Sequence, residues 1–428
     1  MPQVAIASAL RSALDPQFVP PALIGNCKLA TAATKGEDLA PVWNSLVTQV
    51  TANPLDAAAY LDLSTIAFIQ GRPEARRELR ARALNLSRVY RLRTAGSSTE
   101  AVRVLSFQAC GDYLPNMPIE FLLEDSNVVL DFVYTAPGVP LPDVLPDHDL
   151  AFVAVAESTE NQPLLRELAM ALRSWDRPVV NYPERIASLT RDGTCSLLKT
   201  VDGLEVPSGV RVGRAHLERI GSGALQISEA LDGITFPIIA RPLDSHLGEG
   251  LCKLDGPDAV DSYLCQRPDA EFYVAPFVDY KSRDGLYRKY RVALIDRRPY
   301  PVHMAIAQHW MINYVNANMN ESVEKRAEEE RFLADFDDSF GARHAGALVA
   351  IAERTGLDYL PIDCAETAEG RLLLFELGTN MIAHKMDPID LFPYKRPHMD
   401  KLSNALEAMF RKRGAKVGAG KTKRLLLD

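Results

Sequence analysis

Short hydrophobic runs in the middle of the chain alternate with segments of helical periodicity. Three runs predict buried strands, at 102–109, 128–134 and 149–156. A helical segment follows at 161–175, and a further apolar run at 177–183. Strands that alternate with helices indicate a small open α/β sheet, which we place at 100–185. No G-x-G-x-x-G follows its first strand, so the pattern does not indicate dinucleotide binding.

The residues before this sheet, 37–90, have a helical pattern. Within them, 54–87 predicts two amphipathic helices that break at 70–73, similar to one tetratricopeptide hairpin. A stable solenoid needs about three repeats or more, so we expect a helical layer packed on the main body or on a second subunit. Peptide binding is the alternative. A polar linker at 94–99 ends this region, which we place at 1–95.

The second half of the chain mixes strands and helices. Helices are predicted at 184–204, 225–231, 320–338 and 342–356. Strands are predicted at 210–214, 236–241 and 271–280, and a pair of strands at 287–310 around a turn at 297–299. Within YRKYRVAL, the alternation of a strand places Lys289 and Arg291 on the same face. This mixture is typical of α+β domains.

Residues 358–384 predict a β-hairpin that carries two acidic side chains. A loop of two or four residues would place Asp363 on the same face as Leu372, Leu374 and Glu376. Asp363 and Glu376 would then be opposite or diagonal neighbours, and diagonal neighbours lie roughly 7–8 Å apart, within reach of a shared hard cation. A loop of three or five residues would separate them. The alternative is two unrelated carboxylates on a solvated face.

A second informative segment, 236–251, combines a strand, a cation and small residues. The strand ends at Arg241, and the loop after it contains Ser245, Gly248 and Gly250. Small residues let backbone N–H groups approach an anion closely, and a nest of such groups binds phosphate. The alternative is an ordinary turn whose glycines supply positive φ angles.

Composition limits the class of protein. The 428 residues, 47% hydrophobic and 24% charged, are typical of a globular protein of two or three domains. A net charge of −8 argues against a nucleic-acid surface. The six cysteines are too widely spaced for a zinc site or a disulfide framework. We find no signal peptide and no long apolar stretch, so we predict a cytoplasmic protein without membrane contact.

The last residues contain a motif that resembles a phosphate-binding loop. In AKVGAGKT, at 415–422, Ala415 stands where a Walker A loop has its first glycine. No strand is predicted before it, and too few residues follow for the helix that such a loop needs. We therefore predict that 411–428 is a basic, disordered tail.

Four features now stand in order along the chain: a small α/β sheet, a strand with a cation before a Ser/Gly loop, a strand with a hinge, and a hairpin with Asp and Glu. This order resembles the ATP-grasp superfamily, and most of all its RimK-like branch of amino-acid and peptide ligases, over roughly 100–410. The resemblance implies an ATP-grasp fold in which the sheet domain at 100–185 precedes two α+β lobes at 186–410 that clamp ATP. It also implies Mg²⁺, with Mn²⁺ as an alternative, and a carboxylate–amine ligation through an acyl phosphate that releases ADP and phosphate.

The resemblance implies roles for individual residues. Arg241 and Arg291 would be catalytic, at the transferred phosphoryl group. The nucleotide-binding positions would be Arg191, Arg241, Ser245, His246, Gly248, Gly250, Tyr273, Val274, Ala275, Phe277 and Asp279. The magnesium ligands would be Asp363, Glu376 and Asn380. The presumed acceptor pocket would include Lys289, His303, His309, Asn313 and Asn316, whereas His384 and Cys364 are expected to be structural.

Two positions depart from the family pattern. Gly378 stands where the family commonly has the Asn of Glu-x-Asn, and Asn380 is the candidate substitute. Pro276 stands in the hinge where an acidic residue is frequent, and it has no N–H to donate. These departures keep a second hypothesis open, a nucleotide-binding regulator or scaffold without ligase activity. The expected partners are a small carboxylate, an amine or peptide, and a second copy of the chain in a homodimer.

Overall fold

The computed structural model describes residues 13–15, 17–92, 100–111, 115–231, 233–243, 245, 248–313 and 316–424. The first four helices of the fold are α1 (Asn26–Thr34), α2 (Ala40–Ala52), α3 (Ala57–Ile69) and α4 (Pro73–Leu86). The predicted break between the last two helices is present, and Gly71 there has a φ of +68°. Helix α3 is buried along almost its whole length, so these helices form a packed layer. Their likeness to a tetratricopeptide hairpin stays a prediction.

A six-stranded sheet follows this helical layer. Strand β1 (Ala13–Asp15) pairs separately with β6 (Val144–Pro146). The sheet contains β2 (Ala22–Leu23), β3 (Val89–Leu92), β4 (Val102–Ala109), β5 (Val128–Thr135), β7 (Leu150–Val153) and β8 (Val179–Val180), in the order β2-β3-β5-β4-β7-β8. Strands β5, β4, β7 and β8 are mutually parallel, and α5 (Glu120–Leu123) and α6 (Gln162–Leu172) connect strands of this sheet. Strands β2 and β3 come from the region that was expected to be helical.

A smaller α+β lobe is built on a four-stranded antiparallel sheet. Its strands are β10 (Val210–Gly213), β11 (Ile238–Pro242), β12 (Cys252–Leu254) and β13 (Glu271–Pro276), in the order β10-β13-β11-β12. The helices of this part of the chain are α7 (Pro183–Ala187), α8 (Arg191–Leu198), α9 (Arg214–Gly221), α10 (Ile227–Ala230) and α11 (Pro257–Gln266). The single helix predicted at 184–204 is wrong, because Thr190 caps a new helix by accepting a hydrogen bond from the backbone N–H of Gly193.

A second α+β lobe is built on a five-stranded sheet. Its strands are β9 (Leu204–Glu205), β14 (Tyr287–Ile295), β15 (Arg298–Ala307), β16 (Tyr359–Glu366) and β17 (Leu372–Leu377), in the order β15-β14-β16-β17-β9. Helices α12 (Val323–Ala334), α13 (Phe340–Arg343) and α14 (Ala345–Thr355) connect β15 to β16. Both predicted strand pairs, β14 with β15 and β16 with β17, are present and antiparallel.

The last helix, α15 (Lys395–Arg424), joins the two largest sheets. Its Phe410 packs edge to face on Phe152 of β7, with ring centroids 6.0 Å apart, and the same core includes Tyr359 of β16. The predicted disordered tail is therefore wrong for 411–424, which are helical. The Arg413 guanidinium binds both Asp296 and Asp358, so the basic charges at the start of this segment hold it on the protein.

The predicted fold class is confirmed: a small open α/β sheet, two α+β lobes and a preceding helical layer. In the part of the chain that the structure describes, no helix combines the length and the apolar character that crossing a membrane requires.

Candidate functional site

Four residues on neighbouring strands form a row across the five-stranded sheet. Arg291 of β14 lies opposite His303 of β15 on one side and opposite Asp363 of β16 on the other. Asp363 in turn lies opposite Glu376 of β17. The strand pairing is irregular directly beside Arg291 and directly beside Asp363. Such β-bulges often re-aim side chains next to functional sites.

The pairing of Asp363 with Glu376 was predicted, but the loop geometry behind the prediction is wrong. The backbone N–H of Thr367 donates to the carbonyl of Arg371 at 2.9 Å, which leaves a loop of three residues, and Gly370 there has a φ of +77°. A loop of odd length alone would turn Glu376 away from Asp363. One extra residue in β17, Phe375, restores the pairing.

The three-residue loop overturns part of the predicted face. Leu372 and Leu374 pair with Glu366 and Cys364, so they do not share a face with Asp363. Both leucines lie in the hydrophobic core together with Cys364. The core leucines fix the register at the loop end of the hairpin, and the bulge then sets the register of the acidic pair.

Asp363 is held by two cations. Its side chain is almost completely buried, and it accepts hydrogen bonds from Nε and Nη2 of Arg291 at 2.7 and 3.0 Å. Lys289 Nζ lies 2.6 Å from Asp363 Oδ2. Burial alone would raise the pKa of Asp363, but Arg291 and Lys289 hold it well below its usual range. The prediction that Lys289 and Arg291 share a face is thus confirmed, and Asp363 carries its charge at any physiological pH.

Glu376 has a different environment from Asp363. Its side chain is exposed and forms no ion pair with any residue that the structure describes. Two positions later, a Cβ on Gly378 would lie 2.1 Å from Cγ of Met381. The buried Met381 side chain therefore fills the space where the family pattern has Asn. Asn380 is exposed and follows Thr379, whose hydroxyl accepts a hydrogen bond from the backbone N–H of Glu157 at 2.9 Å.

The donor set suits a cation that takes most of its ligands from elsewhere. Within the described ranges, no three His, Cys, Asp or Glu residues form a group that could hold a metal. Asp363 already accepts three hydrogen bonds of the roughly four that a carboxylate can accept. Glu376 is fully available, and Asn380 supplies an amide. Mg²⁺ fits these residues because it is commonly held by one or two carboxylates together with phosphates and waters.

The charges of Arg241, in the four-stranded lobe, and Arg191, on α8, act on each other, although α8 packs on the five-stranded lobe through Leu198. Arg241 is the next-to-last residue of β11, and Arg191 begins α8, where its guanidinium lies 5.8 Å from the ring centroid of Tyr273. Burial and the charge of Arg191 lower the pKa of Arg241 to about 10, while Glu376 of the other lobe acts in the opposite direction. Within the described residues, neither guanidinium has a carboxylate partner. Paired cations of this kind are suited to an anion between the lobes.

Arg241 also organises the loop that follows it. Its Nε donates to Ser245 Oγ at 3.0 Å, and its Nη2 donates to the Ser245 carbonyl. Gly248 and Gly250 have φ angles of +80° and +65°, so both positions require glycine. A Cβ on Gly250 would lie 2.7 Å from the Pro242 ring, which shows how tightly the loop closes. His246, also predicted to bind nucleotide, lies outside the described residues.

The predicted adenine hinge is mostly engaged within the sheet. Tyr273 and Val274 pair on both sides, with β10 and with β11, so their backbone groups are not available to a base edge. The Tyr273 hydroxyl donates to Asp192. Beyond Val274, Ala275 pairs with β11 only, and the backbone N–H of Phe277 donates to the Pro237 carbonyl. The free side of Ala275 is the part of the hinge that stays open.

Asp279 and a cavity lie close to the hinge. Asp279 Oδ1 accepts from the backbone N–H of Lys281 at 3.0 Å, so this predicted ribose ligand also caps a local turn. A cavity of about 320 Å³ adjoins Pro276, and its wall includes Ser208 and Thr235. None of the predicted nucleotide-binding residues lines that cavity.

A cavity of about 230 Å³ lies beside the row on the β14–β15 side, and we call it the inner cavity. Its lining is Lys289, Arg291, Val302, His303, Ala305, Asn313, Ile382, His384, Asp387 and Lys395. The structure thus brings together three of the five predicted acceptor residues. His309 is exposed and does not line the cavity, and Asn316 is bound to Asn313 by two hydrogen bonds.

The sequence did not reveal the second wall of the inner cavity. His384, which we expected to be structural, lines it, as do Asp387 and Lys395. Lys395 is buried and binds Asp387 at 3.2 Å and Glu329 at 3.1 Å. No motif marks these residues. The only signal was their charge in a segment that directly follows the acidic hairpin.

No protein-family profile matches the sequence, and no curated protein matches it. Among solved structures, the chain is similar to the VanG D-Ala:D-Ser ligase of Enterococcus faecalis, at 12% identity and a TM-score of 0.40 over 73% of this chain and 100% of that one. It is similar to a RimK-domain ATP-grasp protein of Sphaerobacter thermophilus, at 17% identity and a TM-score of 0.41 over 72% and 99%. It is also similar to the D-alanine-D-alanine ligase of Coxiella burnetii, at 12% identity and a TM-score of 0.37 over 64% and 72%.

By their descriptions, two of these proteins are amino-acid ligases and the third is an ATP-grasp protein. Identities of 12–17% and TM-scores of 0.37–0.41 carry nothing about the reaction of this chain. Its chemistry follows from its own residues.

Proposed function

We propose that the protein is an ATP- and Mg²⁺-dependent carboxylate–amine ligase that forms an amide or peptide bond on an amino acid or short peptide. The observation that carries the proposal is the opposition of charges between the lobes. Arg241 lies on the four-stranded lobe and Arg191 lies near it on α8, both without carboxylate partners among the described residues, and Glu376 is exposed on the five-stranded lobe. A polyphosphate with its metal ion complements both at once.

The proposed reaction has two steps. A carboxylate oxygen of the acid attacks the γ-phosphorus of ATP, the bond to the β,γ-bridging oxygen breaks, and ADP leaves. The amine nitrogen then attacks the carbonyl carbon of the acyl phosphate, loses a proton, and inorganic phosphate leaves. Both steps develop negative charge on phosphoryl oxygens, which fixed cations stabilise.

Individual residues have distinct parts in this proposal. Arg241 and Arg191 bind the phosphate chain as forked, permanently charged donors. Glu376 holds the metal ion with help from Asn380 and the substrate phosphates, and bound Mg²⁺ would neutralise phosphate charge. Arg291 faces the acid, and Asp363 fixes its orientation through the two hydrogen bonds.

The supporting experiment measures ADP and phosphate when the protein is incubated with ATP, Mg²⁺ and single amino acids or pairs. The proposal predicts ADP release that depends on the amino acid and is lost in Glu376→Gln. Amino-acid-dependent release of AMP and pyrophosphate would rule out an acyl phosphate. ADP release that is unchanged in Glu376→Gln would rule out Glu376 as a metal ligand.

A second candidate is a nucleotide-binding regulator or scaffold without ligase activity. It is favoured by Met381, whose side chain fills the place of the missing Asn, and by the occupation of Asp363 by two cations. This candidate predicts ADP binding with no turnover for any amine and acid pair.

We also propose the domain division expected from the sequence, with 1–95 as an accessory layer, 100–185 as the sheet domain and 186–410 as the two lobes. The layer would support a homodimer or present substrate. Size-exclusion chromatography with light scattering tests the dimer.

A further inference from the structure

The inner cavity contains hydrogen-bond donors that no group of the described residues uses. Arg291 has five N–H groups, of which two bind Asp363 and one binds the carbonyl of Ile382 at 2.9 Å. Lys289 has three, of which one lies on Asp363. About four N–H donors of these two cations therefore remain beside the cavity that they line.

The cavity also contains a carboxylate on its other wall. Asp387 lines it from the segment after β17, and Lys395, at the start of α15, holds Asp387 at 3.2 Å. Lys289 and Arg291 line it from β14. Charges of both signs thus reach the same cavity from different elements.

The charges in and behind the cavity wall balance. The three cations are Lys289, Arg291 and Lys395, and the three carboxylates that pair with them are Asp363, Asp387 and Glu329. Burial and neighbouring cations keep the pKa of both cavity histidines low, so neither adds charge at neutral pH. A ligand of large net charge would leave an uncompensated charge in this cavity, which is costly.

The cavity is also small. At about 230 Å³ it falls below the roughly 300–1,000 Å³ of pockets that hold drug-sized ligands. This volume favours one amino acid over a peptide.

We infer that the inner cavity binds a free, zwitterionic amino acid, with its carboxylate on Lys289 and Arg291 and its ammonium group on Asp387. The inference rests on the proposed ligase function, because it names the substrate class of that site. Binding requires no nucleotide, so it can be measured even if ligation is never observed.

The test is isothermal titration calorimetry on the full chain without ATP, with the twenty common amino acids and their D forms as probes. The affinity of the amino acid that binds most tightly is then compared with the affinities of its N-acetyl derivative, its amide and its homodipeptide. We expect at least tenfold weaker binding for each derivative, because the first loses the ammonium, the second loses the carboxylate and the third exceeds the space. Equal binding of the N-acetyl derivative or the amide overturns the inference, and so does a series in which no amino acid binds.

Two variants locate the amino acid. Asp387→Asn should weaken binding of the amino acid at least tenfold but leave binding of the N-acetyl derivative unchanged. Lys289→Met should weaken binding of the amino acid and of the N-acetyl derivative but not of the amide. Lys289 is partly exposed, so Lys289→Met keeps the test usable if Asp387→Asn does not fold. Unchanged amino-acid affinity in Lys289→Met overturns the assignment. ADP release without any amino-acid dependence would contradict the proposed function alone.

Discussion

Arg291 binds Asp363 through two parallel hydrogen bonds, from Nε at 2.7 Å and from Nη2 at 3.0 Å. The pair is buried in the middle of the five-stranded sheet, and Lys289 approaches the same carboxylate. Asp363 thereby orients the two cations, and in the proposed function the exposed Glu376 opposite it binds the metal ion. The division of work between two adjacent carboxylates is the basis of the first prediction.

Asp363→Asn should destabilise the fold. Removing one partner of a buried ion pair leaves the other charge uncompensated, which typically costs about 3–5 kcal/mol. Urea unfolding measures the loss. Glu205→Gln is the control, because Glu205 pairs with Arg371 at the surface and such pairs contribute about 0–1 kcal/mol. Equal effects of the two substitutions would show that the Arg291 pair is not what holds this part of the sheet.

Glu120 should make stability depend on pH. It is buried where the helical layer meets the sheet domain and accepts a hydrogen bond from Asn26 Nδ2 at 3.2 Å. Burial raises its pKa to about 7. Because the folded pKa lies above the unfolded value of about 4.3, the stabilising contribution is complete below pH 4.3 and is lost as the pH rises towards 7.

Glu120→Gln, which resembles the protonated acid, should therefore stabilise the protein at pH 8 by up to about 3 kcal/mol and have little effect at pH 4. Urea unfolding at both pH values measures the difference. Glu78→Gln, on the exposed face of α4, is the control and should show no such dependence. A Glu120→Gln effect that is the same at both pH values would mean that this carboxyl does not titrate on folding.

Arg241→Gln should weaken ADP binding. A hydrogen bond to a charged group contributes about 1.5–3 kcal/mol, so the loss should be roughly 10- to 100-fold in Kd. Calorimetric titration of Mg²⁺ and ADP measures it, with Arg297→Gln on the exposed turn before β15 as the control. If Arg241→Gln binds ADP as tightly as the control, the Arg241 guanidinium does not bind the nucleotide and only holds its own loop through Ser245.

Gly378→Asn should be tolerated only after Met381 is shortened. The new Cβ would lie 2.1 Å from Cγ and 2.3 Å from Sδ of Met381, and overpacking of this kind typically costs about 1–3 kcal/mol. Met381→Ala removes the clash, so the double variant should be more stable than the sum of the single losses predicts. Urea unfolding of all four proteins gives the coupling, and strict additivity would contradict the packing account.

The sequence was sufficient for most of the longer strands and helices and for the acidic pair, because periodicity of 2 and 3.6 survives in long, regular segments. It was insufficient for the route by which the pair forms. No local sequence pattern predicts the bulge at Phe375, since this bulge compensates for a loop of odd length several residues away. The predicted pairing of Asp363 with Glu376 was right only because the three-residue loop and the bulge cancel each other.

Long-range ion pairs explain the other failures. Residues 411–428 were expected to be a basic, disordered tail, but Arg413 pairs with Asp296 and Asp358, which are far away in sequence. Lys395 lies at the inner cavity because it forms ion pairs with Glu329 and Asp387. Such partners are visible only once the sheets have brought them together.

The most direct test of the ligase account follows one oxygen atom. The amino acid that gives the largest ADP release is labelled with ¹⁸O in its carboxylate and incubated with the protein, ATP, Mg²⁺ and the amine. The account predicts that the released phosphate carries one ¹⁸O atom, because the acyl phosphate donates a carboxylate oxygen to phosphorus when the amide bond forms. Release of unlabelled phosphate, or of labelled AMP with pyrophosphate, would contradict it.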